Sequence, residues 1–429
     1  MNTTILSLGL LCCAAFASAR AQDTVDPEEL HRAGRAALLR GDAPAAVSLL
    51  QRAVEADAAW EHVPWRLALA RALQSAGEGA KAEPLLRTVL ERVSDHVEAG
   101  QLLSELLAAR GDAAGVRAVL EPLLAFRKDY RMHHLLAEAA YALEDFDQAG
   151  RWYAEAVRLN PESAWDHYQL GNVHLGERRY ARAAESYERS RELGLGGAVL
   201  HFKLASAWFN LRNYLGATAP VEVEAGAVGE LRSGMYLIEP LPGRPNTFLG
   251  APARSAIHQV AMARAGGMQS SLDLDLLEAG IWLQSGRFAR AHALLLATEE
   301  KVRPEDRALH CFHIAEAALA LDREAEHLER LEQAAKLDEK TYASALVAGC
   351  VEVAERRSRA GDLPAAIGFL ERAIALAPEK ASLHADLADL LAEVGRAPDA
   401  VAQWRLVLAL EPEHPQRTRI LNAIKRHSR

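Results

Sequence analysis

Small and large apolar residues alternate along the chain with a spacing that repeats, most clearly between Tyr130 and Leu193. Matching residues in this stretch lie 34 positions apart: Leu136 and Leu170, Ala149 and Ala183, Tyr153 and Tyr187. Each copy predicts a pair of helices, here called the A helix and the B helix. Small residues stand where the two helices of a pair must touch, because a larger side chain would hold their backbones apart.

The same pattern extends over ten copies of the repeat. The eighth position is small in every copy: Gly34, Ala70, Ser104, Ala137, Gly171, Ala205, Ala279, Ala315, Ala354 and Ala388. The twentieth position is mostly alanine: Ala46, Ala82, Val116, Ala149, Ala183, Ala217, Ala291, His327, Ala366 and Ala400. Glu278 and Arg357 stand at positions where the other copies carry small or apolar residues. The pattern does not account for these two.

Glycine and proline mark the ends of the predicted helices. Gly-Asp, Gly-Glu or Gly-Arg follows six of the A helices, as is usual past a helix C-terminus. Pro161, Pro378 and Pro412 end B helices, because proline cannot continue a helix. After Pro412, residues 416–427 alternate basic and apolar side chains. They predict one more amphipathic helix that caps the last apolar face.

A 34-residue step with small contact residues resembles the tetratricopeptide repeat (TPR). The resemblance implies an all-α fold, a right-handed α-α superhelix of about ten helix pairs. The expected domains are residues 22–212 with about five and a half repeats, an insertion at 213–251, a second array at 252–414 and a capping helix at 415–429. One repeating plan would therefore extend from residue 22 to residue 414, interrupted once.

The interruption follows the A helix at about Ala198–Arg212. Val221–Glu224 and Met235–Glu239 alternate apolar and polar residues between glycines, which predicts a β-hairpin, and a proline-rich loop follows from Pro240 to Pro252. Ala253–Ala265 then predicts the displaced B helix of the sixth pair. The alternative is that the segment links two half-arrays.

Composition and net charge limit the classes of partner that the chain is expected to bind. Aromatic residues make up only 6% of the chain, and the formal net charge is -9. A mildly acidic chain without a basic run argues against nucleic acid and against an anionic membrane surface as its main partner. Removal of residues 1–21 would also leave no segment for stable membrane insertion.

The first 21 residues predict an export signal. Ile5–Phe16 is apolar, and small residues at Ala17, Ala19 and Ala21 suit cleavage after Ala21. A membrane anchor is the alternative. We expect an exported, periplasmic or secreted protein. Cys311 and Cys350 are expected to be separate buried thiols, because they fall on neighbouring A helices too far apart for a disulfide.

In TPR proteins, ligands commonly lie along the concave face formed by the A helices. Transferred to this sequence, the resemblance implies a peptide-binding set: Arg131, His134, Trp165, Tyr168, Asn172, Phe202, Ser206 and Phe209. Aromatic side chains provide contact area, and amides can pair with a peptide backbone. Tyr168 stands where carboxylate-clamp repeats carry Lys, so binding of a C-terminal carboxylate is not implied. The alternative is that these aromatic residues pack between repeats.

The sequence gives little support for a metal site or for enzymatic activity. His133, His167, His201 and His384 share one repeat position, but neighbouring helices lie about 8–10 Å apart, too far for a shared Zn²⁺. Catalytic and nucleotide-binding motifs are absent from the sequence. We therefore expect no metal, no cofactor and no enzymatic activity. The predicted function is an exported scaffold that binds protein or peptide in its groove. The alternative is a binder of a small molecule or glycan, closed by a lid at 213–251.

Overall fold

The computed structural model describes residues 26–223, 228–244, 246–269 and 271–428. The predicted signal at 1–21 lies outside the described residues, as do Glu224 and Gly226 of the predicted hairpin. Within the described ranges the chain has 21 α-helices and four short strands. None of those helices is both long enough and apolar enough to cross a bilayer. The chain divides into two compact units, one ending at Gly196 and the other beginning at Gly197.

Unit 1 contains five helix pairs. Its helices are α1 Pro27–Leu39, α2 Ala43–Ala56, α3 Val63–Ser75, α4 Gly79–Arg92, α5 Val97–Ala109, α6 Ala113–Leu123, α7 Tyr130–Ala142, α8 Phe146–Leu159, α9 Ala164–Gly176 and α10 Tyr180–Glu192. Odd numbers are A helices and even numbers are B helices. The predicted pairs are confirmed throughout this unit.

Local chemistry explains where these helices begin and end. The side chain of Asp42 accepts a hydrogen bond from the Ala45 amide at 3.2 Å, and Asp112 accepts one from Gly115 at 2.9 Å. Each thereby caps a B helix. Gly41 and Gly111, with φ of 80° and 79°, end the preceding A helices in a conformation that disfavours a side chain.

The core of unit 1 follows the repeat. Ala46, Ala82, Ala149 and Ala183 are fully buried between the helices of their pairs, as the twentieth position requires. Large residues fill the space beside them, and Leu50, Leu86, Leu120, Tyr153 and Tyr187 have no exposed surface. Apolar burial on this scale is the main stabilising term of a repeat array.

Unit 2 contains the other five pairs, the strands and a final helix. Its elements are α11 Ala198–Asn210, β1 Ala219–Glu222, β2 Leu231–Arg232, β3 Met235–Pro240, β4 Thr247–Ala251, α12 Ala256–Ala265, α13 Leu272–Gln284, α14 Phe288–Thr298, α15 Arg307–Ala320, α16 Glu324–Leu337, α17 Glu339–Arg359, α18 Leu363–Leu376, α19 Ala381–Glu393, α20 Ala397–Leu410 and α21 Arg417–His427. The all-α class, the ten pairs and the closing helix are confirmed.

The insertion contains strands, as predicted, but their pairing differs from a simple hairpin. The four strands form one antiparallel sheet in the order β1-β4-β3-β2. β3 turns tightly back on β2 through Ser233 and Gly234, whose φ values of 50° and 73° suit a two-residue hairpin turn. β4, inside the predicted proline-rich loop, pairs with the other edge of β3. β1 is therefore left to pair with β4.

The sixth helix pair is completed across this sheet, as predicted. α12 packs against α11, and His201 on α11 contacts Gln259 on α12 with 2.7 Å between Nδ1 and Oε1. Ala256, Ile257 and Val260 of α12 are buried in the core of unit 2. Ala217, expected to be the small contact residue of this pair, is instead exposed ahead of β1. The reason is that the B helix begins only after the sheet.

The two exceptions to the pattern have electrostatic explanations. Glu278 on α13 accepts hydrogen bonds from Arg264 Nε at 3.0 Å and from Trp282 Nε1 at 3.1 Å. Arg357 on α17 donates from Nε to Glu324 on α16 at 2.7 Å. Each residue therefore replaces an apolar contact with an ion pair between neighbouring helices.

Two further predictions concern the cysteines and the last helix. Cys311 and Cys350 are free and buried, as predicted. Ile420 on α21 is fully buried against the core that includes Trp404 and Val407. The last helix thus covers the apolar end of unit 2, which a terminal repeat needs for solubility.

Candidate functional site

The predicted binding residues fall in both units. Arg131 and His134 lie on α7, and Trp165, Tyr168 and Asn172 lie on α9, all in unit 1. The other three, Phe202, Ser206 and Phe209, lie on α11 of unit 2. We call the surface formed by the first five residues, together with Glu138, the α7–α9 face.

A histidine–carboxylate pair joins α7 to α9. His134 Nδ1 lies 2.6 Å from Asp166 Oδ1, and Asp166 is fully buried. The hydrogen bond to Asp166 raises the pKa of His134 despite its partial burial. Burial alone would raise the pKa of Asp166, but hydrogen bonds from His134 and Ser163 outweigh it and leave that pKa lowered. Both shifts favour an imidazolium paired with a carboxylate.

Glu138 connects three side chains at the centre of the face. Its Oε1 accepts hydrogen bonds from Tyr153 Oη at 2.7 Å, from Trp165 Nε1 at 2.8 Å and from Gln169 Nε2 at 3.4 Å. Tyr153 is a fully buried B-helix residue, whereas Trp165 is 46% exposed. One carboxylate therefore ties an exposed aromatic side chain to the core of unit 1.

Asn172 is held by two partners of its own. Its Nδ2 donates to Gln169 Oε1 at 2.8 Å, and its Oδ1 accepts from Tyr187 Oη at 2.8 Å. One Nδ2 hydrogen of an amide can still be donated to a further acceptor. The interaction of Asn172 with a peptide backbone stays a prediction.

Two aromatic residues of α9 and one of α10 form a short row. The rings of Trp165 and Tyr168 have centroids 5.6 Å apart, and Tyr168 lies 5.8 Å from Tyr187. Tyr187 is buried, so the row runs from the core to the surface. Such spacing is within the range in which aromatic pairs attract one another.

Arg131 borders the face on α7. It forms an ion pair with Glu105 of α5, and its side chain is 60% exposed whereas that of Glu105 is 16% exposed. An exposed guanidinium can also bind a carboxylate or carbonyl of a ligand.

The three predicted residues in unit 2 are largely accounted for by packing. Phe202 and Phe209 lie against the core of unit 2, and Phe209 contacts Tyr214 with ring centroids 5.4 Å apart. A Cβ on Gly280 would lie 3.3 Å from Phe209 Cζ, so this ring sits close to the backbone of α13. Ser206 donates to the carbonyl of Phe202 at 2.9 Å, within its own helix.

The four histidines at the shared repeat position have local partners. His133 lies 2.7 Å from the Asp129 carbonyl and His167 lies 3.1 Å from that of Pro161. His201 contacts Gln259, and His384 contacts Gln403, each at 2.7 Å. Across the part of the chain that the structure describes, no group of three or more His, Cys, Asp or Glu residues could hold a metal ion.

The structure adds residues that the repeat pattern did not select. Asp166 and Gln169 complete the α7–α9 face, and the only sequence signal was a polar residue at a buried helix position. A second face, formed in unit 2 by α15, α17 and α19, was not predicted as a site. It bears Glu316, Glu355 and Asp386 beside adjoining cavities.

Comparison with known proteins identifies the repeat. Three family models, each described as a tetratricopeptide repeat, match residues 37–106, 130–163 and 168–227. A search of curated proteins finds no match.

Several solved structures resemble parts of this chain. YrrB, described as a TPR protein with an unusual peptide-binding site, is 14% identical over 49% of this chain and 88% of its own, with a TM-score of 0.36. MamA from Desulfovibrio magneticus RS-1 is 23% identical over 40% and 97%, with a TM-score of 0.37. The pilF protein of Pseudomonas aeruginosa is 18% identical over 43% and 84%, with a TM-score of 0.39.

Proposed function

The chain is a tetratricopeptide-repeat protein, and on that premise we propose that it is a scaffold which binds a segment of another protein on the α7–α9 face. One observation carries the proposal. Trp165 is 46% exposed, yet its indole N–H is fixed by Glu138, which is itself bonded to the buried Tyr153. An exposed tryptophan held in one orientation is the kind of anchor that dominates binding energy at protein interfaces.

The hydrogen bonds matter because they lower the cost of binding. A side chain that is mobile before binding loses about 0.5–1.5 kcal/mol when an interface immobilises it. Glu138 already restrains Trp165, and Asn172 is already restrained by Gln169 and Tyr187. A ligand therefore meets groups that are largely positioned in advance.

Polar groups around the row favour a peptide as the ligand. Asn172 retains an amide hydrogen for a backbone carbonyl, and Arg131 offers an exposed guanidinium. His134, whose charged form is favoured by its hydrogen bond to Asp166, adds a further donor at the edge of the face. Aromatic area flanked by such donors suits an extended peptide, whose backbone presents a carbonyl at every residue.

The alternative function, a lid that closes over a small ligand, is less well supported. Tyr236, Ile238 and Ala251 of the sheet are buried in the core of unit 2. Arg287, the residue directly before α14, also binds Glu239 on β3 at 2.8 Å. A sheet anchored in this way favours a fixed element, so the lid is not proposed.

Export remains part of the proposal. It rests on the apolar stretch Ile5–Phe16 and the small residues before Gln22. N-terminal sequencing of the protein from a periplasmic fraction should begin at Gln22. A protein found only in the cytoplasm with Met1 intact would contradict export without touching the binding proposal.

The binding proposal can be tested with selected peptides. A random peptide library is panned on the purified protein, and the affinities of the recovered peptides are measured by fluorescence anisotropy. Trp165→Ala combined with Tyr168→Ala should weaken binding at least tenfold, which corresponds to about 1.4 kcal/mol. Phe126→Ala is the matched control, because Phe126 is a 63% exposed aromatic residue of unit 1 outside the face.

Circular dichroism should show that both variants keep the helical content of the parent. Equal affinity of all three proteins for every selected peptide would exclude the α7–α9 face as the binding site.

A further inference from the structure

A cavity of about 440 Å³ lies between the start of α15 and the end of α16. Glu299, the residue directly after α14, also lines it. None of the described residues that line this cavity also lines the cavities along α15, α17 and α19. Its volume is within the roughly 300–1,000 Å³ that small-molecule sites usually have. We call it the α15–α16 cavity.

The inner wall of the α15–α16 cavity is neutral. His310 and Cys311, successive residues of α15, are 3% and 7% exposed, and both line the cavity. Burial lowers the pKa of His310 and raises the pKa of Cys311, so ring and thiol are both uncharged at neutral pH. A buried thiol behaves as a small, polarisable apolar group. This wall therefore favours an apolar part of a ligand over a charged one.

The rim of the cavity carries two cations. Arg307, the first residue of α15, and Lys336, in the last turn of α16, are exposed and line the cavity. Neither forms an ion pair with another residue in the part of the chain that the structure describes. A guanidinium can bind a carboxylate through two parallel hydrogen bonds, and an ammonium adds a further charged donor.

Acids near this rim are engaged by other arginines. Glu299, the one acid among the described residues that line the cavity, is bound by Arg330, with 3.1 Å between Oε2 and Nη2. Two acids close in sequence to the rim cations form ion pairs of their own, Asp306 with Arg303 and Glu332 with Arg372. The positive charge of the rim is therefore left for an anion from outside the chain.

Apolar surface continues from the inner wall to the rim. Leu337, the last residue of α16, is 55% exposed and lines the cavity. The long side chains of Arg307 and Lys336 add aliphatic stems beside their charged ends. A ligand body that covers these groups removes apolar area from water, which favours binding.

We propose that the α15–α16 cavity binds a short aliphatic carboxylate. The carboxylate pairs with Arg307 and Lys336 at the rim, and the aliphatic chain packs against Cys311 and Leu337. A neutral wall beneath a cationic rim complements a molecule that has one charged end and an apolar body. The site lies wholly in unit 2, so it depends neither on the α7–α9 face nor on the binding of a protein segment there.

The test measures octanoate binding to the full chain by isothermal titration calorimetry. The cavity variant is Arg307→Gln combined with Lys336→Gln. The control is Arg405→Gln combined with Lys425→Gln, which removes the same charge from exposed positions of α20 and α21 outside the cavity. Circular dichroism should show the helical content of the parent in both variants, because all four side chains are exposed.

We expect the cavity variant to bind octanoate at least tenfold more weakly than the parent, and the control to stay within twofold of it. Two further ligands separate the contributions of charge and chain. Octanamide keeps the chain without the charge, and acetate keeps the charge without most of the chain. Each should bind the parent at least tenfold more weakly than octanoate does.

Cys311 reports where the ligand lies. Its alkylation by iodoacetamide is followed by mass spectrometry with and without saturating octanoate. Because the thiol lines the cavity, octanoate should slow alkylation of Cys311 at least threefold in the parent. The same concentration should leave the rate unchanged in the cavity variant, which no longer holds the carboxylate.

Four outcomes would overturn the proposal. The first is no saturable binding of octanoate to the parent. The second is equal affinity of the cavity variant and the control. The third is octanamide binding as tight as that of octanoate, which would make the cavity a site for neutral apolar molecules. The fourth is unchanged alkylation of Cys311 at saturation, which would place octanoate elsewhere. Loss of peptide binding in Trp165→Ala with Tyr168→Ala bears on the α7–α9 face alone.

Discussion

A methyl group on Gly171 would lie 2.6 Å from Cε1 of Tyr187, so the tyrosine ring of α10 rests directly on the backbone of α9. Tyr187 also donates its hydroxyl to Asn172, the residue that follows this glycine. Close packing of the fifth helix pair and the orientation of Asn172, a predicted binding residue, thus depend on the absence of a side chain at Gly171.

Gly171→Ala should therefore destabilise unit 1 by about 1–3 kcal/mol, the usual cost of overpacking a core. Gly176→Ala, at the end of the same helix, is the control, because a Cβ there would meet nothing within 4 Å. It should change stability by only a few tenths of a kcal/mol or raise it slightly. Thermal melting followed by circular dichroism compares the two. Equal melting temperatures would contradict the packing at Gly171.

Glu138→Ala should release Trp165 and leave the buried Tyr153 hydroxyl without its acceptor. The expected cost is about 1–3 kcal/mol, the penalty for an unsatisfied buried polar group. The indole N–H resonance of Trp165, identified by its absence from Trp165→Phe, should move and sharpen as the ring becomes mobile. Glu185→Ala, an exposed acid on α10, is the control. An unchanged Trp165 resonance in Glu138→Ala would show that Glu138 does not hold the ring.

The His134–Asp166 pair should make the fourth and fifth pairs most stable in mildly acidic solution. The raised pKa of His134 means that its contribution is full below about 6.5, the unfolded value, and is lost as pH rises through the folded pKa. The lowered pKa of Asp166 means that its contribution is full above about 3.9 and is lost as pH falls through the folded pKa. The amides of α7 and α9 should thus be best protected from hydrogen exchange between about pH 3.9 and pH 6.5.

Hydrogen exchange of peptides from α7 and α9 measures this directly, because a repeat array need not unfold as one unit. His134→Gln should flatten the decline in protection above about pH 6.5. His167→Gln is the control, since the ring of His167 is hydrogen-bonded to a backbone carbonyl and not to a carboxylate. The same pH profile in His134→Gln and the parent would contradict the pairing.

Arg264 should be essential for joining α12 to α13. It binds Asp275 at 2.7 Å as well as Glu278, and the three side chains are 27%, 9% and 14% exposed. Arg264→Ala would leave two acids facing each other with little water, at a cost of about 3 kcal/mol. Adding Glu278→Gln should restore part of the loss by removing one charge. Thermal melting measures both, and Arg254→Ala serves as an exposed control.

The thiols should react slowly in the folded protein. Burial raises the pKa of both Cys311 and Cys350, so little thiolate is present at neutral pH. Cys311 is 7% exposed and Cys350 is fully buried, and Cys350 should therefore react last. Alkylation followed by mass spectrometry, before and after denaturation, gives the order. Rapid modification of Cys350 in the native protein would contradict its burial.

The repeat pattern predicted the helices well because one physical requirement acts at each copy. Position 149 and position 183 require a small residue such as Ala149 or Ala183, and Tyr153 and Tyr187 must fill the space beside them. The size of the residue at each repeat position therefore indicates where the helices touch. The displaced helix α12 was also predictable, since its apolar face had no other partner. Strand β4 was missed because Pro245 and Pro252 flank it, and a short strand between prolines resembles a loop.

The site was less predictable than the fold. Trp165 and Tyr168 were selected by their repeat positions, but the hydrogen bonds that hold Trp165 depend on Glu138 and Tyr153 from another pair. Phe202 occupies the position equivalent to Tyr168, and Phe209 occupies another of the expected groove positions, yet both are largely packing residues, since the same periodicity suits both roles. Glu278 and Arg357 were exceptions to the pattern because ion pairs between helices leave no periodic signal.

The sheet between α11 and α12 has a consequence for the order in which unit 2 folds. Most helix pairs close across a tight turn, whereas the sixth must bring its helices together across residues 211–255. Closing a longer loop costs about 0.6 kcal/mol for each doubling of its length, and distant contacts slow folding. The pairs from α13 onward can therefore nucleate first, and α11 would join α12 late, once the strands have formed. The sixth pair is where a stalled or proteolysed intermediate of this protein should be sought.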